Sequence, residues 1–182
     1  MRQVIAFVVV SLLAMIGTVS VKPFSEIYVP LSVILSKPTQ MEQFMDKIAS
    51  IETPGGGYHT VNRFGMMGRY QFSNETIRAV GINASRQEFL RNKELQDTAM
   101  VRLMVLNEKQ LSDVIRKFEG RTVKGIRITR ASILAGAHFA GANGVRRYLT
   151  NDSLDGTIDG LGTSLRTYMR YFADFHLPPL NS

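Results

Sequence analysis

The chain has 182 residues, of which 45% are hydrophobic and 20% are charged, and this balance is typical of a folded globular protein rather than a disordered one. Its net charge of +7 at pH 7 indicates an anionic partner, such as a nucleic acid, a membrane surface or an acidic polymer. The lack of cysteine excludes disulfides, thiol nucleophiles and cysteine metal sites.

The N-terminal segment, residues 1–21, narrows this choice of partner. Arg2 is followed by an uncharged, largely apolar run with the small residues Thr18 and Ser20 near its end. This pattern is typical of a secretory signal peptide, and the run is also near the length of an uncleaved membrane anchor. A buried N-terminal helix is disfavoured because no polar face interrupts the run. We therefore predict export to the periplasm or cell envelope, with or without an inner-membrane anchor, which argues against nucleic acid.

Residues 22–38 contain three prolines and are predicted to be a linker, followed by one domain over residues 39–182. The domain is predicted to be mainly α-helical, because apolar residues recur at intervals of three and four. Predicted helices cover about residues 41–51, 74–80, 93–117, 129–139, 145–149 and 163 onward, and "SRQE" at 85–88 reads as a capping box. The loop at residues 55–72 is predicted to hold a small β-hairpin.

One carboxylate, Glu52, ends the first predicted helix in an unusual setting. It shares the apolar helix face with Met45 and Ile48, and it lies in the last turn, where the helix dipole disfavours a negative charge. Both features favour the protonated acid, which general-acid catalysis at a glycosidic oxygen requires. An ordinary solvated glutamate at a frayed helix end is the alternative. The three glycines at 55–57 and the long polar loop after them favour a saccharide cleft.

Two motifs carry a resemblance to a known family. "IET" at 51–53, followed by "VNRFGMMGRYQ" at 61–71, resembles the catalytic glutamate and G-x-x-Q loop of the lysozyme-like superfamily, in particular its soluble-lytic-transglycosylase-type domains. "AGAHFAGANGVRRYL" at 135–149 is similar to the family's second motif, A-A-Y-N-A-G. The resemblance covers residues 41–150 and implies a lysozyme-like α+β fold. Two departures stand out: Thr53 replaces a serine, and His138-Phe139 replace a tyrosine-asparagine pair.

The resemblance implies an enzyme that cleaves the β-1,4 bond between N-acetylmuramic acid and N-acetylglucosamine in peptidoglycan, without a metal or cofactor. Glu52 would act first as acid and then as base, while the muramoyl 6-hydroxyl attacks in place of water and leaves a 1,6-anhydro end. A lysozyme would use water and often a second carboxylate. No acid occurs between Glu52 and Phe72, which favours the one-acid chemistry.

The resemblance also implies roles for five further residues. Asn62 and Gln71 would hydrogen-bond sugar or fix the loop, and Tyr70 would stack on a sugar face or line the cleft. Arg69 would contact the anionic peptide stem, and His138 would take the polar role of the missing asparagine. Four of them have a structural alternative: a turn for Asn62, core packing for Tyr70 and His138, and solvation for Arg69.

Three function classes are consistent with the sequence: an exported lytic transglycosylase, with a hydrolytic lysozyme as its variant; a weak or inactive relative that binds peptidoglycan; and a cytoplasmic nucleic-acid-binding domain. The basic segment "RTVKGIRITR" at 121–130, together with Arg146 and Arg147, suits an anionic glycan or a membrane surface. Nucleophile-elbow, zinc-protease and phosphate-loop motifs do not occur in the sequence, and its three histidines are too scattered to predict a metal site.

Overall fold

A computed structural model describes residues 38–150 and 164–180 of the chain. The predicted signal or anchor, residues 1–21, and almost all of the predicted linker lie outside these described residues. The described part is mainly helical, as predicted. Its helices are α1 (Gln40–Glu52), α2 (Asn74–Ala79), α3 (Arg86–Arg91), α4 (Lys93–Gln110), α5 (Ser112–Phe118), α6 (Arg130–Thr150) and α7 (Leu165–Tyr171). None of these helices is long and apolar enough to cross a membrane.

Side-chain caps fix the starts of several helices, one of which the sequence predicts. Thr39 and Glu42 form a capping box at α1: the Thr39 hydroxyl accepts from the Glu42 backbone N–H, and the Glu42 carboxylate accepts from the Thr39 N–H. Ser85 and Glu88 do the same at α3, which confirms that predicted box. Each box satisfies backbone donors that the first turn of a helix leaves without partners.

The helix predicted over residues 93–117 is instead two helices, α4 and α5. Leu111, with φ −108° and ψ 14°, ends the first and begins the second. Its side chain is completely buried in an apolar cluster, the Leu111 cluster, which also contains Ile128 and Val145 and to which α5 adds Val114 and Phe118. The sequence has no proline or glycine at this break, so no local signal predicts it. The burial of Leu111 and of the α5 side chains decides where the chain turns.

Helix α6 changes direction at Gly141, which has φ 71° and ψ 161°. Only glycine takes such a conformation readily, so α6 consists of two helical segments, as the two predicted helices at 129–139 and 145–149 imply. The segment before the break lies at the centre of the domain. It contributes Ile133 and Ala137 to the Leu111 cluster. It contributes Ala131, Leu134 and Ala135 to a second apolar cluster, which also contains Phe44 of α1 and Phe172.

The predicted hairpin is misplaced. The loop at residues 55–72 contains only isolated bridges between Val61 and Met67 and between Met67 and Phe72. The antiparallel pair of the described structure is β1 (Thr122–Val123) with β2 (Ile126–Arg127), inside the basic segment. Its turn residues, Lys124 and Gly125, both have positive φ, as a two-residue turn of type I′ requires.

Helices α6 and α7 pack closely against each other at Gly136. A Cβ on Gly136 of α6 would lie 2.9 Å from Cγ of Met169 and 3.1 Å from Cδ1 of Leu165, both on α7. The bare backbone of Gly136 therefore lets α7 approach α6 closely. This approach carries the middle of α7, including Tyr168, toward the end of α1.

Candidate functional site

A cleft of about 300 Å³ opens at the C-terminal end of α1. The residues that line it come from α1, the loop after it, α2, α4 and α6: Glu52, Asn62, Phe64, Met66, Gln71, Phe72, Ser73, Thr76, Leu103, His138 and Phe139. The cleft thus brings together four of the six site residues that the sequence predicts. Both motifs of the sequence, 51–71 and 135–149, contribute residues to its lining.

Glu52 is the acid of this lining. Its side chain is 23% exposed, and its Oε1 accepts a hydrogen bond of 2.9 Å from the hydroxyl of Tyr168. The Tyr168 ring is buried and stacks between Phe139 and Phe172, with ring centroids 4.8 Å and 5.4 Å away. The aromatic stack holds the hydroxyl in place, so one oxygen of Glu52 has a fixed orientation.

His138 lies beside the same carboxylate. Its Nε2 is 3.8 Å from Oε1 of Glu52, which is too long for a hydrogen bond. Burial lowers the pKa of His138 and outweighs the opposing effects of the Glu52 charge and of the Tyr70 backbone carbonyl. The carbonyl of Tyr70 faces the ring without the geometry of a full hydrogen bond, so Nδ1 has no hydrogen-bond partner in the described part. His138 is therefore a neutral, buried imidazole next to the acid.

The loop from Thr53 to Phe72 is tied to α1 and α4 by buried polar groups. The hydroxyl of Thr53 donates to the backbone carbonyls of Ala49 and Arg69 at 3.1 Å and 2.9 Å. The fully buried amide of Gln96 accepts from the Arg69 N–H and donates to the carbonyls of Tyr58 and Phe89, each at 2.9 Å. These bonds fix the loop that forms one wall of the cleft.

Asn62 and Gln71 lie in the cleft and also stabilise the loop. Oδ1 of Asn62 accepts from the backbone N–H groups of Phe64 and Met66, at 2.8 Å and 3.0 Å, which is the turn role that the sequence leaves open for it. Gln71 has φ 54°, and its Nε2 donates to the Gly68 carbonyl at 2.8 Å. Its Oε1 is buried without a hydrogen-bond partner in the described part. Such an atom in a cleft is a candidate acceptor for a ligand donor.

Arg69 and Tyr70 do not reach the cleft. Tyr70 is 1% exposed and donates its hydroxyl to Oδ1 of Asp97 at 2.7 Å, so it packs in the core and has no face to offer a sugar. Arg69 forms a salt bridge with Asp46 and donates to the hydroxyl of Tyr58 at 2.9 Å. It lines a separate hollow of about 270 Å³ with Asp46 and the glycines 55–57. Three consecutive side chains thus point in three directions: Arg69 to the separate hollow, Tyr70 to the core and Gln71 to the cleft.

Two residues that orient the cleft, Tyr168 and Gln96, are not predicted from the sequence. Tyr168 lies 116 residues after Glu52 and belongs to an apolar helical stripe, so the pattern assigns its hydroxyl no role. A tyrosine on such a stripe signals a buried hydroxyl that needs a partner, although the pattern does not name that partner. Gln96 interrupts the apolar residues of α4 and carries no comparable signal in the sequence.

The basic segment is partly neutralised by acids from other helices. Arg130 forms salt bridges with Glu108 at 2.7 Å and Glu119 at 3.3 Å, and Arg146 pairs with Asp113. The charge asymmetry along the sequence therefore does not produce an equally large asymmetry in space. In the described residues, no group of three or more metal-ligating His, Asp or Glu side chains comes together.

Comparison of the chain with protein-family models, with curated proteins and with solved structures gives no match. The lysozyme-like resemblance therefore rests on the sequence motifs at 51–71 and 135–149 alone.

Proposed function

We propose that the protein is an exported peptidoglycan-cleaving enzyme of the lytic transglycosylase type, with a lysozyme-like fold and Glu52 as its acid and base. The observation that carries the proposal is Glu52 itself: a half-buried glutamate at a helix end, in a cleft, with one carboxylate oxygen held by a buried tyrosine hydroxyl. Concave sites with a few convergent polar groups are the usual sites of catalysis. The N-terminal sequence supports export to the cell envelope, where peptidoglycan is an anionic polymer that a basic chain can bind.

In the proposed reaction, protonated Glu52 donates its proton to the glycosidic oxygen while the bond from that oxygen to C1 of the muramoyl unit breaks. The resulting carboxylate takes the proton of the muramoyl 6-hydroxyl, whose oxygen forms the new bond to C1 and closes the 1,6-anhydro ring. Because Tyr168 occupies Oε1, the other oxygen of Glu52 is the one free to transfer the proton. Neutral His138 adds no positive charge that would oppose protonation of Glu52.

The number of acids in the cleft supports one-acid chemistry. Glu52 is the single carboxyl among the described residues that line it. Glycosidases that use water employ two carboxyls, about 5–9.5 Å apart on either side of the bond. In this proposal no metal or cofactor takes part, and the partner is the glycan strand of peptidoglycan, with membrane association through the N-terminus.

Digestion of purified peptidoglycan sacculi with the full chain, with products read by mass spectrometry, tests the proposal. The wild type should release anhydro-muropeptides, and Glu52→Gln should lower the rate by about 10²–10⁴-fold, because it removes the transferable proton while keeping shape. Glu75→Gln is the matched control, since Glu75 is an exposed acid on α2 outside the cleft lining. It should leave the rate unchanged.

Reducing-end products would contradict the transglycosylase assignment and indicate a hydrolytic lysozyme. A hydrolase would need a second carboxyl group, and the aspartates at 152, 155 and 159 would be the first candidates for it to substitute. Equal rates for the wild type and Glu52→Gln would remove the assigned role of Glu52 altogether.

One observation favours a second candidate, a catalytically weak peptidoglycan-binding module. Phe139 stands where the resembling family has its substrate-binding asparagine, and here its ring packs on Tyr168 and lines the cleft. An apolar ring cannot supply the hydrogen bonds of an amide. Under this candidate the wild type and Glu52→Gln would both pellet with sacculi, and neither would release products.

A further inference from the structure

Phe64 is an exposed aromatic side chain in the wall of the cleft. It retains 60% of its surface accessible to solvent, the largest fraction among the exposed large hydrophobic residues of the described chain. The others, Val61, Val101 and Tyr171, lie outside the cleft lining. Because this exposed ring also lines the cleft, where ligands of proteins usually contact apolar and aromatic side chains, it is a candidate ligand contact.

The backbone around Phe64 is fixed, so the fold determines the position of the ring. Oδ1 of Asn62 accepts from the N–H of Phe64 at 2.8 Å, and the Asn62 carbonyl accepts from the N–H of Gly65 at 3.0 Å. Gly65 has φ +79°, which turns the chain sharply after the ring. A tight turn held on both sides presents the ring at low entropic cost.

Arg63 adds a positive charge at the same place. Its guanidinium carbon lies 4.7 Å from the centroid of the Phe64 ring. Both residues are exposed, and Arg63 forms no salt bridge within the described ranges 38–150 and 164–180. A guanidinium can contact an aromatic face and still offer its outer N–H groups to a carboxylate.

We propose that Phe64 and Arg63 form a subsite at the rim of the cleft for an N-acetylmuramoyl unit and its peptide stem. The ring packs on the apolar C–H face of the pyranose, whose polarised hydrogens meet the negative face of the aromatic ring. Arg63 binds a carboxylate of the stem, the geometry that its planar fork suits best. The inference rests on the proposed function, and it assigns the substrate contact that Tyr70, buried in the core, does not make.

The test is a binding titration with the full chain carrying Glu52→Gln, so that no probe is cleaved. One probe is chitohexaose, which is neutral and has no stem. The other is soluble peptidoglycan strands with intact stems, released from sacculi by an endopeptidase. Phe64→Ala should weaken binding of both probes roughly three- to tenfold, whereas Phe64→Trp should retain it. Arg63→Gln should weaken binding of the strands alone, and the difference should shrink at high salt.

Tyr171→Ala is the matched control, because Tyr171 is also an exposed aromatic residue, 51% accessible, and it lies outside the cleft lining. It should bind both probes like the parent. Phe64→Ala that binds both probes like the parent overturns the subsite and leaves the proposed function standing. A parent that binds neither probe overturns the subsite and the proposed function together.

Discussion

Two buried tyrosines of this protein, one in a loop and one on a helix, each donate a hydroxyl to a carboxylate on a helix distant in sequence, in two very different settings. Tyr70 donates to Asp97 of α4 at 2.7 Å, and Tyr168 donates to Glu52 of α1 at 2.9 Å. Both tyrosines are 1% exposed. The difference lies in what surrounds the carboxylate.

The Asp97 side is saturated with partners. Both oxygens of Asp97 also accept from the hydroxyl of Tyr58 at 3.1 Å, Tyr58 accepts from Arg69, and Arg69 pairs with Asp46. Burial raises the pKa of Tyr70, as does its hydrogen bond to Asp97, so the hydroxyl stays a donor. Such a closed network stabilises a fold and leaves nothing for a ligand.

The Glu52 side is unsaturated. Oε1 of Gln71 and Nδ1 of His138 are buried without hydrogen-bond partners in the described chain, and both residues line the cleft with Glu52. An unpaired buried polar atom costs free energy unless something binds it, so two such atoms in one cleft beside an acid are candidate contacts for a ligand. The contrast separates a structural carboxylate from a candidate catalytic one more clearly than sequence position does.

Gly68→Ala should have the largest effect on stability, because Gly68 lies in the loop that connects the surroundings of Asp97 with those of Glu52. Its φ is +74°, and a Cβ there would lie 2.0 Å from Oε1 of Gln96, which holds the loop to α4. We expect the free energy of unfolding to fall by about 2–4 kcal/mol, from backbone strain and a displaced hydrogen bond. Urea unfolding followed by circular dichroism measures it.

Gly57→Ala is the control for this change. It lies in the same loop, has no positive φ, and a Cβ there would meet no atom within 4 Å. Its free energy of unfolding should be unchanged or slightly higher. If Gly68→Ala were as stable as Gly57→Ala, Gln96 would not be the tie between loop and helix that its three hydrogen bonds indicate.

Removing one tyrosine hydroxyl at a time should lower mainly the stability in one variant and mainly the activity in the other. Tyr70→Phe should lower the free energy of unfolding by about 1–3 kcal/mol, because a buried bond to a charged group is lost, and should leave the rate on sacculi unchanged. Tyr168→Phe should lower that rate by roughly tenfold, because Glu52 loses its fixed orientation, with a smaller loss of stability. The loss of stability is smaller because Glu52 is partly exposed and can accept a hydrogen bond from water instead. Equal effects of the two variants on both measurements would erase the contrast between the regions.

Much of the fold could be predicted from local sequence signals. The caps at Thr39 and Ser85 have short-range causes that a pattern exposes. The buried face of α4 is harder to predict, since it includes Gln96, Asn107 and Glu108, which a search for apolar stripes passes over. Glu108 is buried because Arg130 and the Leu180 N–H both bind it, and these partners are distant in sequence.

For the site, the motifs predicted that Glu52 and the loop after it lie together at a cleft, which the structure shows, but not the direction of every side chain. Gln71 lies in the cleft because its left-handed φ of 54° turns it away from the course of Tyr70, and no residue type announces that conformation. The hydrogen-bond partner of Glu52, Tyr168, lies 116 residues later in the sequence, so only the packing of α7 on α6 could reveal it.

The smallest effect we predict is a pH dependence of stability due to His138. Burial lowers its pKa in the folded state below the value near 6.5 of an unfolded histidine. Between these two values the unfolded chain binds a proton that the folded chain does not, so stability is lost as the pH falls below about 6.5. The slope for one proton is at most about 1.4 kcal/mol per pH unit.

Urea unfolding at pH 7.5 and 5.5 should show this loss in the wild type and a reduced loss in His138→Gln. His59→Gln, at an exposed loop position, should behave like the wild type. An identical loss in His138→Gln would mean that burial does not shift the pKa of His138 on folding, and a larger loss would mean that His138 is held protonated beside Glu52.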